Sequence, residues 1–194
     1  MLDYNFKPKT ASSMEGWHNR GYLPHFDGGE TAQFITFRLF DSMPQVVLEK
    51  WRNDSKSDAE FRKGVEAYLD AGYGECWLRD HKIAQIVQDA LFFQAGKTCK
   101  LTAWVIMPNH VHILITPNAG HELSDILHSI KSFTAHEANK QLNRTGQFWQ
   151  HESFDRYIRN YKHYANVINY IENNPVKAGL CKTQSEWKFS SAHK

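Results

Sequence analysis

The sequence of 194 residues is poor in cysteine and has no long apolar run. Its three cysteines, Cys76, Cys99 and Cys181, are widely spaced and form no Cys-x-x-Cys pair, which argues against a disulfide framework or a cysteine zinc site. No stretch approaches the roughly 20 apolar residues of a membrane span, and residues 1–9 lack the apolar segment of a signal peptide. The sequence therefore predicts a soluble, cytoplasmic protein that has no membrane partner.

An excess of charge of one sign is also missing, because the formal net charge is only +2. Apolar residues make up 41% of the chain and charged residues 23%, which is enough for a buried core and excludes global disorder. The charge is uneven along the chain: residues 131–194 contain ten basic and five acidic side chains. This C-terminal third could face a polyanion, although solvated surface charge is the more common cause of such a balance.

The pattern of apolar residues predicts a mixture of strands and helices. Alternation and β-branched residues indicate strands at 33–40, 100–107, 110–116 and 154–159. Helical spacing indicates a helical block at about 44–95, a helix from 123 and a helix over 161–174 that is ended by Pro175. Residues 1–30, interrupted by four glycines, are predicted to be irregular. This order predicts an α+β fold with a largely antiparallel sheet and helices packed on it.

Residues 108–115 (PNHVHILI) place two histidines at alternate positions of a predicted strand. Successive strand residues face opposite sides, so His110 and His112 project together while Val111 faces the other way. Two imidazoles about two strand rises apart on one rigid face suit two ligands of a single metal ion. Two hydrogen-bonded histidines at a hairpin are the ordinary alternative, and the pair alone does not separate the two interpretations.

A second polar group lies in the predicted C-terminal helix. Tyr170 and Asn174 are one helical turn apart and share a face. The Asn174 amide oxygen could join the two imidazoles at one ion, with Tyr170 beside it as a nucleophile. Asn173 also faces Tyr170 and is an alternative ligand. Imidazoles with a hard oxygen and open positions favour Mg²⁺ or Mn²⁺ over structural zinc. A packed tyrosine and a helix-ending Asn-Asn-Pro are the ordinary alternative.

Together these segments resemble the REP-associated tyrosine transposases, which are single-tyrosine HUH transposases of the insertion-sequence-200-like type. The resemblance rests on HVH followed by YIENNPVKAGL. It extends to GWHNRGYLPHFD, FITFRLFDSMP, AWVIMPNHVHILI, SIKSF, GQFWQHESFDRYIRN and the closing W-K-FSS. It implies one transposase domain over residues 1–194, with a ferredoxin-like palm, the histidines on a central strand, and a helical insertion at about 55–97.

The resemblance also implies an activity and a set of site residues. His110 and His112 match the family's histidine pair, Asn174 its third metal ligand, and Tyr170 its nucleophile. The implied enzyme is a Mg²⁺- or Mn²⁺-dependent transposase that nicks and joins single-stranded DNA near imperfect palindromic hairpins, through a 5′-phosphotyrosine. It would act at the nucleoid as a monomer or homodimer. Glu152 or Asp155 could assist proton transfer, although surface carboxylates are the more common role.

Basic and aromatic side chains near these motifs are candidates for DNA binding. Phosphate contacts are predicted for Lys131, Arg144, Arg156, Arg159 and Lys162. Stacking or base contacts are predicted for Trp17, His18, Arg20 and Tyr22. For any single lysine or arginine, a solvated surface position is the ordinary alternative.

Two other functions are compatible with the sequence. A domesticated DNA-binding module would keep the fold without cleaving, and a metal-dependent hydrolase would use water and form no protein–DNA adduct. The presence of His110, His112, Tyr170 and Asn174 together argues against the non-cleaving module, because folding does not require all four. Three other tyrosines could be the nucleophile, but none has an amide partner placed like Asn174: Tyr157, Tyr161 and Tyr164.

Overall fold

The computed structural model describes residues 17–19, 24–26 and 30–193. Four strands form its central sheet: β3 (Gln33–Arg38), β4 (Cys99–Ile106), β5 (His110–Pro117) and β6 (Phe154–Tyr157). Every pairing is antiparallel and the order is β4–β5–β3–β6. Strand β5 therefore has a hydrogen-bonded neighbour on both sides. The predicted α+β class with an antiparallel sheet is confirmed.

Five helices surround the sheet: α1 (Gln45–Asp54), α2 (Asp58–Asp70), α3 (His81–Gln94), α4 (Leu123–Gln141) and α5 (Tyr161–Lys177). Polar side chains begin three of them by accepting an otherwise unbonded backbone N–H. Ser57 accepts from Glu60 at α2, Asp80 from Lys82 at α3, and Asn160 from His163 at α5. The helices lie where the apolar spacing predicts them.

The sequence predicts that the C-terminal helix is ended by Pro175. The structure contradicts this prediction, because α5 continues to Lys177. Proline lacks an N–H and so removes one hydrogen bond, but it does not prevent the following turn from forming. The amides of Ala178 and Leu180 still donate to the carbonyls of Asn174 and Pro175. The helix therefore extends far enough to include Lys177, which contacts α2.

The sheet is covered on both faces. Helices α3 and α4 pack on the face formed by alternate residues such as Phe37, Val111 and Ile113. Helix α5 packs on the opposite face through Val167 and Ile171, against a cluster that includes Phe34 and Leu114. His110 and His112 lie on this second face, because the strand period of two separates them from Val111. The sequence prediction for the facing of these residues is confirmed.

Helices α1 and α2 form a third apolar cluster through Leu48, Phe61, Val65 and Leu69. Helix α3 belongs instead to the main core with α4. The single domain with an insertion at about 55–97 stays a prediction.

A short antiparallel hairpin precedes the sheet, formed by β1 (Trp17–Asn19) and β2 (Pro24–Phe26). Strand β2 lies beside β6. The prediction of an irregular segment is wrong for these two strands, whose three residues each are too few to give a period. None of the helices in the described ranges combines the length and apolar character needed to cross a membrane.

Candidate active site

The two histidines occupy the start of β5, in the interior of the sheet. His110 is opposite Arg38 and His112 is opposite Thr36 on the neighbouring strand β3. Both imidazoles are fully buried. Their Nε2 atoms are 3.1 Å apart, with ring centroids separated by 4.6 Å. The strand thus brings two ring nitrogens to one point, as the alternation predicts.

Hydrogen bonds at the opposite ring nitrogens orient both imidazoles. His110 Nδ1 lies 2.7 Å from the Asn109 side-chain oxygen, and His112 Nδ1 lies 2.7 Å from the Thr36 hydroxyl. The Asn109 amide nitrogen donates to the Tyr73 carbonyl, which fixes which end of that amide faces His110. His110 therefore donates its proton from Nδ1 and presents a lone pair at Nε2.

The site keeps both imidazoles neutral. Burial lowers the pKa of His110 to about 3, with a smaller contribution from the Lys177 cation. Burial also holds the pKa of His112 well below its usual range, and His110 and Lys177 lower it further. A neutral imidazole is the form that binds a metal ion, so no proton competes at neutral pH.

Tyr170 lies directly beside this pair. Its ring centroid is 5.4 Å from that of His112 and 5.7 Å from that of Phe34, which also contacts His112. The phenol hydroxyl is buried, and the Glu66 carboxylate lies beside it. Burial raises the pKa of Tyr170 well above its usual range, and the carboxylates of Glu66 and Asp70 raise it further. The phenol is therefore protonated in this state and needs a proton acceptor before it can act as a nucleophile.

Asn174 and Asn173 have different surroundings. Asn174 is fully buried, and neither its side-chain oxygen nor its nitrogen is hydrogen-bonded within the described part of the chain. Asn173 is exposed, and its oxygen accepts from the Gln184 amide. A buried amide without a partner is costly, about 1–3 kcal/mol. The burial and the missing partner of its amide favour Asn174 over Asn173 as a candidate ligand-binding group.

Helix α2 adds two carboxylates that the sequence analysis missed. Asp70 Oδ1 is 4.0 Å from His110 Nε2, and Asp70 Oδ2 accepts a 2.7 Å hydrogen bond from Lys177. Glu66, one turn earlier, lies beside Tyr170, and burial raises its pKa. The i, i+4 spacing of the two acids was the only signal in the sequence, and it is common on exposed helices.

The donor set fits a divalent ion held by nitrogen and amide oxygen. Over residues 30–193, no three side chains among His, Cys, Asp and Glu are arranged around one metal position. The candidate donors are the two Nε2 atoms, which lie 3.1 Å apart, and the Asn174 amide, which has no hydrogen-bond partner among the described residues.

The predicted phosphate-binding residues divide into two groups. Arg156, on β6, lies near Tyr170 and Arg159, and Lys162 follows at the exposed start of α5. Arg156 also lines a small cleft beside the site with Phe34, Arg62 and Glu66.

The other two predicted cations lie elsewhere. Lys131 donates to the carbonyls of Gln150 and His151 at 2.7 Å, and burial lowers its pKa to about 8. Arg144 lies over Trp77 and Phe148, on the sheet face opposite the histidines.

The three other candidate tyrosines have surroundings different from those of Tyr170. The Tyr164 hydroxyl donates to Thr102, Tyr161 is exposed, and Tyr157 lies under Arg159. Asp155 and Glu152 line a groove along α4. Trp17 and His18 are in β1, whereas Arg20 and Tyr22 lie outside the described residues.

Comparisons with known proteins identify the family and the fold. A sequence model of the family described as transposase, IS200 like, matches residues 78–174, which is half of the chain. The matched range contains both histidines, Tyr170 and Asn174, and it begins after α2. A solved structure of a REP-associated tyrosine transposase bound to a REP hairpin aligns with a TM-score of 0.56. It is 24% identical and covers 89% of this chain and 83% of that one, so it supports the fold alone.

Two curated relatives are similar over part of their length. The chain is 32% identical over 115 residues to the REP-associated tyrosine transposase of Escherichia coli (strain K12), which covers 59% of this chain and 62% of that protein. It is 30% identical over 99 residues to a Haemophilus influenzae protein provisionally assigned to the same group, covering 46% of this chain and 56% of that one. The chain therefore spans about three fifths of the length of the curated relatives it matches.

Proposed function

Because this chain belongs to the IS200-like transposase family, we propose that it cleaves and rejoins single-stranded DNA through a covalent bond to Tyr170. The observation that carries the proposal is the position of Tyr170, whose ring packs 5.4 Å from the His112 ring on the face where two Nε2 atoms converge. A nucleophile and a pair of metal ligands at one place suit phosphoryl transfer.

His110, His112 and Asn174 would hold the divalent ion, Mg²⁺ or Mn²⁺. When bound, the ion polarises the scissile phosphate and neutralises its developing charge. Thr36 and Asn109 keep the two imidazoles in the orientation that this requires, through the Nδ1 hydrogen bonds.

The chain's own groups account for the proton and the bond that are exchanged. The Tyr170 oxygen attacks phosphorus, the phosphorus–3′-oxygen bond breaks, and a 5′-phosphotyrosine and a 3′-hydroxyl result. Glu66 takes the phenol proton, because it is the carboxylate beside Tyr170 and burial raises its pKa toward the working range of a general base. The leaving 3′-oxygen takes a proton from water. Attack by a second 3′-hydroxyl reverses the step and joins two strands.

The proposed partner is single-stranded DNA with an imperfect palindromic hairpin. Arg156 lies near Tyr170 and Arg159, and the exposed Lys162 begins α5, so these three cations would bind phosphates of the strand. Support also comes from the names of the curated relatives and from the REP hairpin in the structural neighbour. Trp17, His18, Arg20 and Tyr22 stay candidates for base contacts, and a monomeric or homodimeric state stays a prediction.

The proposal is tested with Tyr170→Phe and a labelled pool of imperfect DNA hairpins that have randomised single-stranded flanks, in Mg²⁺ or Mn²⁺. Wild-type protein should form a covalent adduct on the peptide that contains Tyr170, detected by denaturing gel and mass spectrometry. Tyr170→Phe should reduce adduct and cleavage to background while keeping hairpin binding, because only the attacking oxygen is removed. The matched control is Tyr164→Phe, which lies on the same helix as Tyr170 and removes the hydroxyl that is bonded to Thr102. This variant should keep cleavage.

The same experiment separates the alternatives. Binding without cleavage by the wild-type protein would identify a non-cleaving module. Cleavage without an adduct, retained in Tyr170→Phe, would identify a hydrolase that uses water. An adduct on Tyr157, Tyr161 or Tyr164 would contradict the assignment of Tyr170 alone.

A further inference from the structure

Asp70, the last residue of α2, bridges two functional elements. Its Oδ2 accepts from Lys177 of α5 at 2.7 Å, whereas its Oδ1 is 4.0 Å from His110 Nε2. The Asp70 side chain is only 11% exposed, and Oδ1 is buried without a hydrogen bond to any described residue. One oxygen of the carboxylate is thus neutralised, and the other is left facing the histidine pair.

This arrangement is unfavourable unless a positive group or a donor lies between the facing atoms. His110 donates its Nδ1–H to the Asn109 side-chain oxygen, so its Nε2 is an acceptor, which lies 3.1 Å from His112 Nε2 and 4.0 Å from Asp70 Oδ1. A lone pair and a buried carboxylate oxygen repel each other, and an unmet buried acceptor is itself destabilising. A separation of 4.0 Å is too long for a direct hydrogen bond, but one water molecule beside the two atoms could contact both of them.

We propose that Asp70 is an anionic positioning residue of the divalent-ion site, accepting a hydrogen bond from a water molecule bound to the ion. The inference rests on the proposed function, since it concerns the same ion. A water-mediated role fits better than direct coordination, because Asp70, His110 and His112 are not grouped around one metal position. The acid would favour the cation electrostatically and hold one of its water ligands in place.

Lys177 gives the proposal a distinctive signature. Its ammonium group fixes the Asp70 carboxylate, but its positive charge also acts on both imidazoles and opposes a cation at the site. If Asp70 only tied α2 to α5, loss of either member of the ion pair would have the same effect. If Asp70 acts on the ion, removing its charge weakens ion binding, whereas removing the charge of Lys177 does not.

The test is calorimetric titration of Mn²⁺ into the full chain, with thermal unfolding measured in parallel. Asp70→Asn should lower Mn²⁺ affinity about tenfold, in the range typical of groups that orient metal ligands. Lys177→Gln should keep wild-type affinity or exceed it. Without Mn²⁺, Lys177→Gln should lose more thermal stability than Asp70→Asn, because it leaves the buried Asp70 carboxylate unpaired, whereas Lys177 is half-exposed. Asp89→Asn, an exposed acid on α3, makes the same charge change far from the site and should bind Mn²⁺ as wild type does.

Mn²⁺ affinity of Asp70→Asn within twofold of wild type would overturn the inference, as would equal losses in Asp70→Asn and Lys177→Gln. Should Asp70→Asn fail to fold, a tenfold loss in Lys177→Gln would overturn it and retained affinity would support it. The His110→Ala/His112→Ala variant separates this failure from that of the proposed function. If the double-histidine variant no longer binds Mn²⁺ but Asp70→Asn still does, only the proposed role of Asp70 is wrong. If the wild-type protein binds no Mn²⁺, the proposed ion site is itself wrong.

Discussion

At the scale of single residues, the orientation of the two histidines depends on hydrogen-bond partners that are not themselves proposed metal ligands. Thr36 and Asn109 occupy the Nδ1 atoms of His112 and His110, which leaves the Nε2 atoms to converge. Without these partners each ring could turn or change tautomer, and the two nitrogens would no longer meet. The site is therefore at least two residues larger than its proposed ligands.

Thr36→Val should weaken metal binding while preserving the fold. Valine has the shape of threonine and suits a strand, but it leaves His112 Nδ1 without its partner. Mn²⁺ affinity measured by calorimetry should fall about 10–100-fold. Thr102→Val removes a hydroxyl from β4 that contacts Tyr164 rather than a histidine, and it should leave Mn²⁺ affinity unchanged. Equal affinities in the two variants would contradict the orienting role of Thr36.

The burial of the Lys131 ammonium group should give the stability of the protein a pH dependence. Burial lowers its pKa to about 8, whereas the unfolded chain has the ordinary value of about 10.5. Between these values the unfolded state binds more protons, so the contribution of Lys131 to stability increases as pH rises. The free energy of unfolding of wild type relative to Lys131→Met should increase by about 1–3 kcal/mol from pH 8 to pH 10.5, measured by urea denaturation. A constant difference across that range would contradict this burial effect.

At the scale of elements, the turn after α2 connects the site to the rest of the fold. The Tyr73 carbonyl accepts from Asn109, and the Glu75 amide donates to the Asp41 carboxylate. Gly74, between them, has φ +88°, and a Cβ there would lie 2.9 Å from the Asp41 carbonyl oxygen. The turn thus requires glycine both for its backbone and for its closeness to Asp41.

Gly74→Ala should therefore cost more than a simple loss of glycine. The left-handed backbone alone costs on the order of 1 kcal/mol, and the contact with Asp41 should bring the total to about 2–3 kcal/mol. Gly96→Ala is the matched control, with φ +81° and open space around the added Cβ. Denaturant unfolding should show the difference, and Mn²⁺ affinity should fall only in Gly74→Ala, because its turn holds Asn109. Similar stabilities in both variants would contradict the close approach.

At the scale of the whole molecule, the predicted phosphate contacts have different surroundings. Arg156 lies near Tyr170 and Arg159, and Lys162 is exposed at the start of α5. Arg144 lies on the sheet face opposite the histidines, and the Lys131 ammonium is bonded to two carbonyls. A DNA strand that reaches Tyr170 should therefore be bound mainly by Arg156, Arg159 and Lys162.

Replacing Arg156, Arg159 and Lys162 together by alanine should reduce the salt dependence of hairpin binding. Each lost phosphate contact should lower the slope of log K against log salt by about one. The control replaces three exposed lysines of the α3 and α4 layer, Lys82, Lys97 and Lys140, and makes the same change in net charge. Fluorescence anisotropy over a salt series measures both slopes, and equal slopes would contradict a defined phosphate path.

The sequence by itself determined the features that depend on local period. Alternation along β5 separates His110 and His112 from Val111, and helical spacing puts Asn174 one turn from Tyr170. These relations follow from backbone geometry within a few residues, so the strand, the helix and their polar faces could be predicted. The family resemblance, which rests on the same motifs, is confirmed by the match over residues 78–174.

Only the tertiary structure decided what surrounds those motifs. Thr36 is 76 residues from His112, and Asp70 is 107 residues from Lys177. Such contacts leave no periodic signal, because they depend on which strands pair and which helices pack together. The same is true of the carboxylates of α2, for which the sequence predicts no role, and of Lys131, for which it predicts a phosphate contact but not the bonds to the carbonyls of Gln150 and His151. The local geometry of a strand or helix therefore follows from the amino-acid sequence near it. The protonation, orientation and accessibility of the site side chains depend instead on how distant segments pack together.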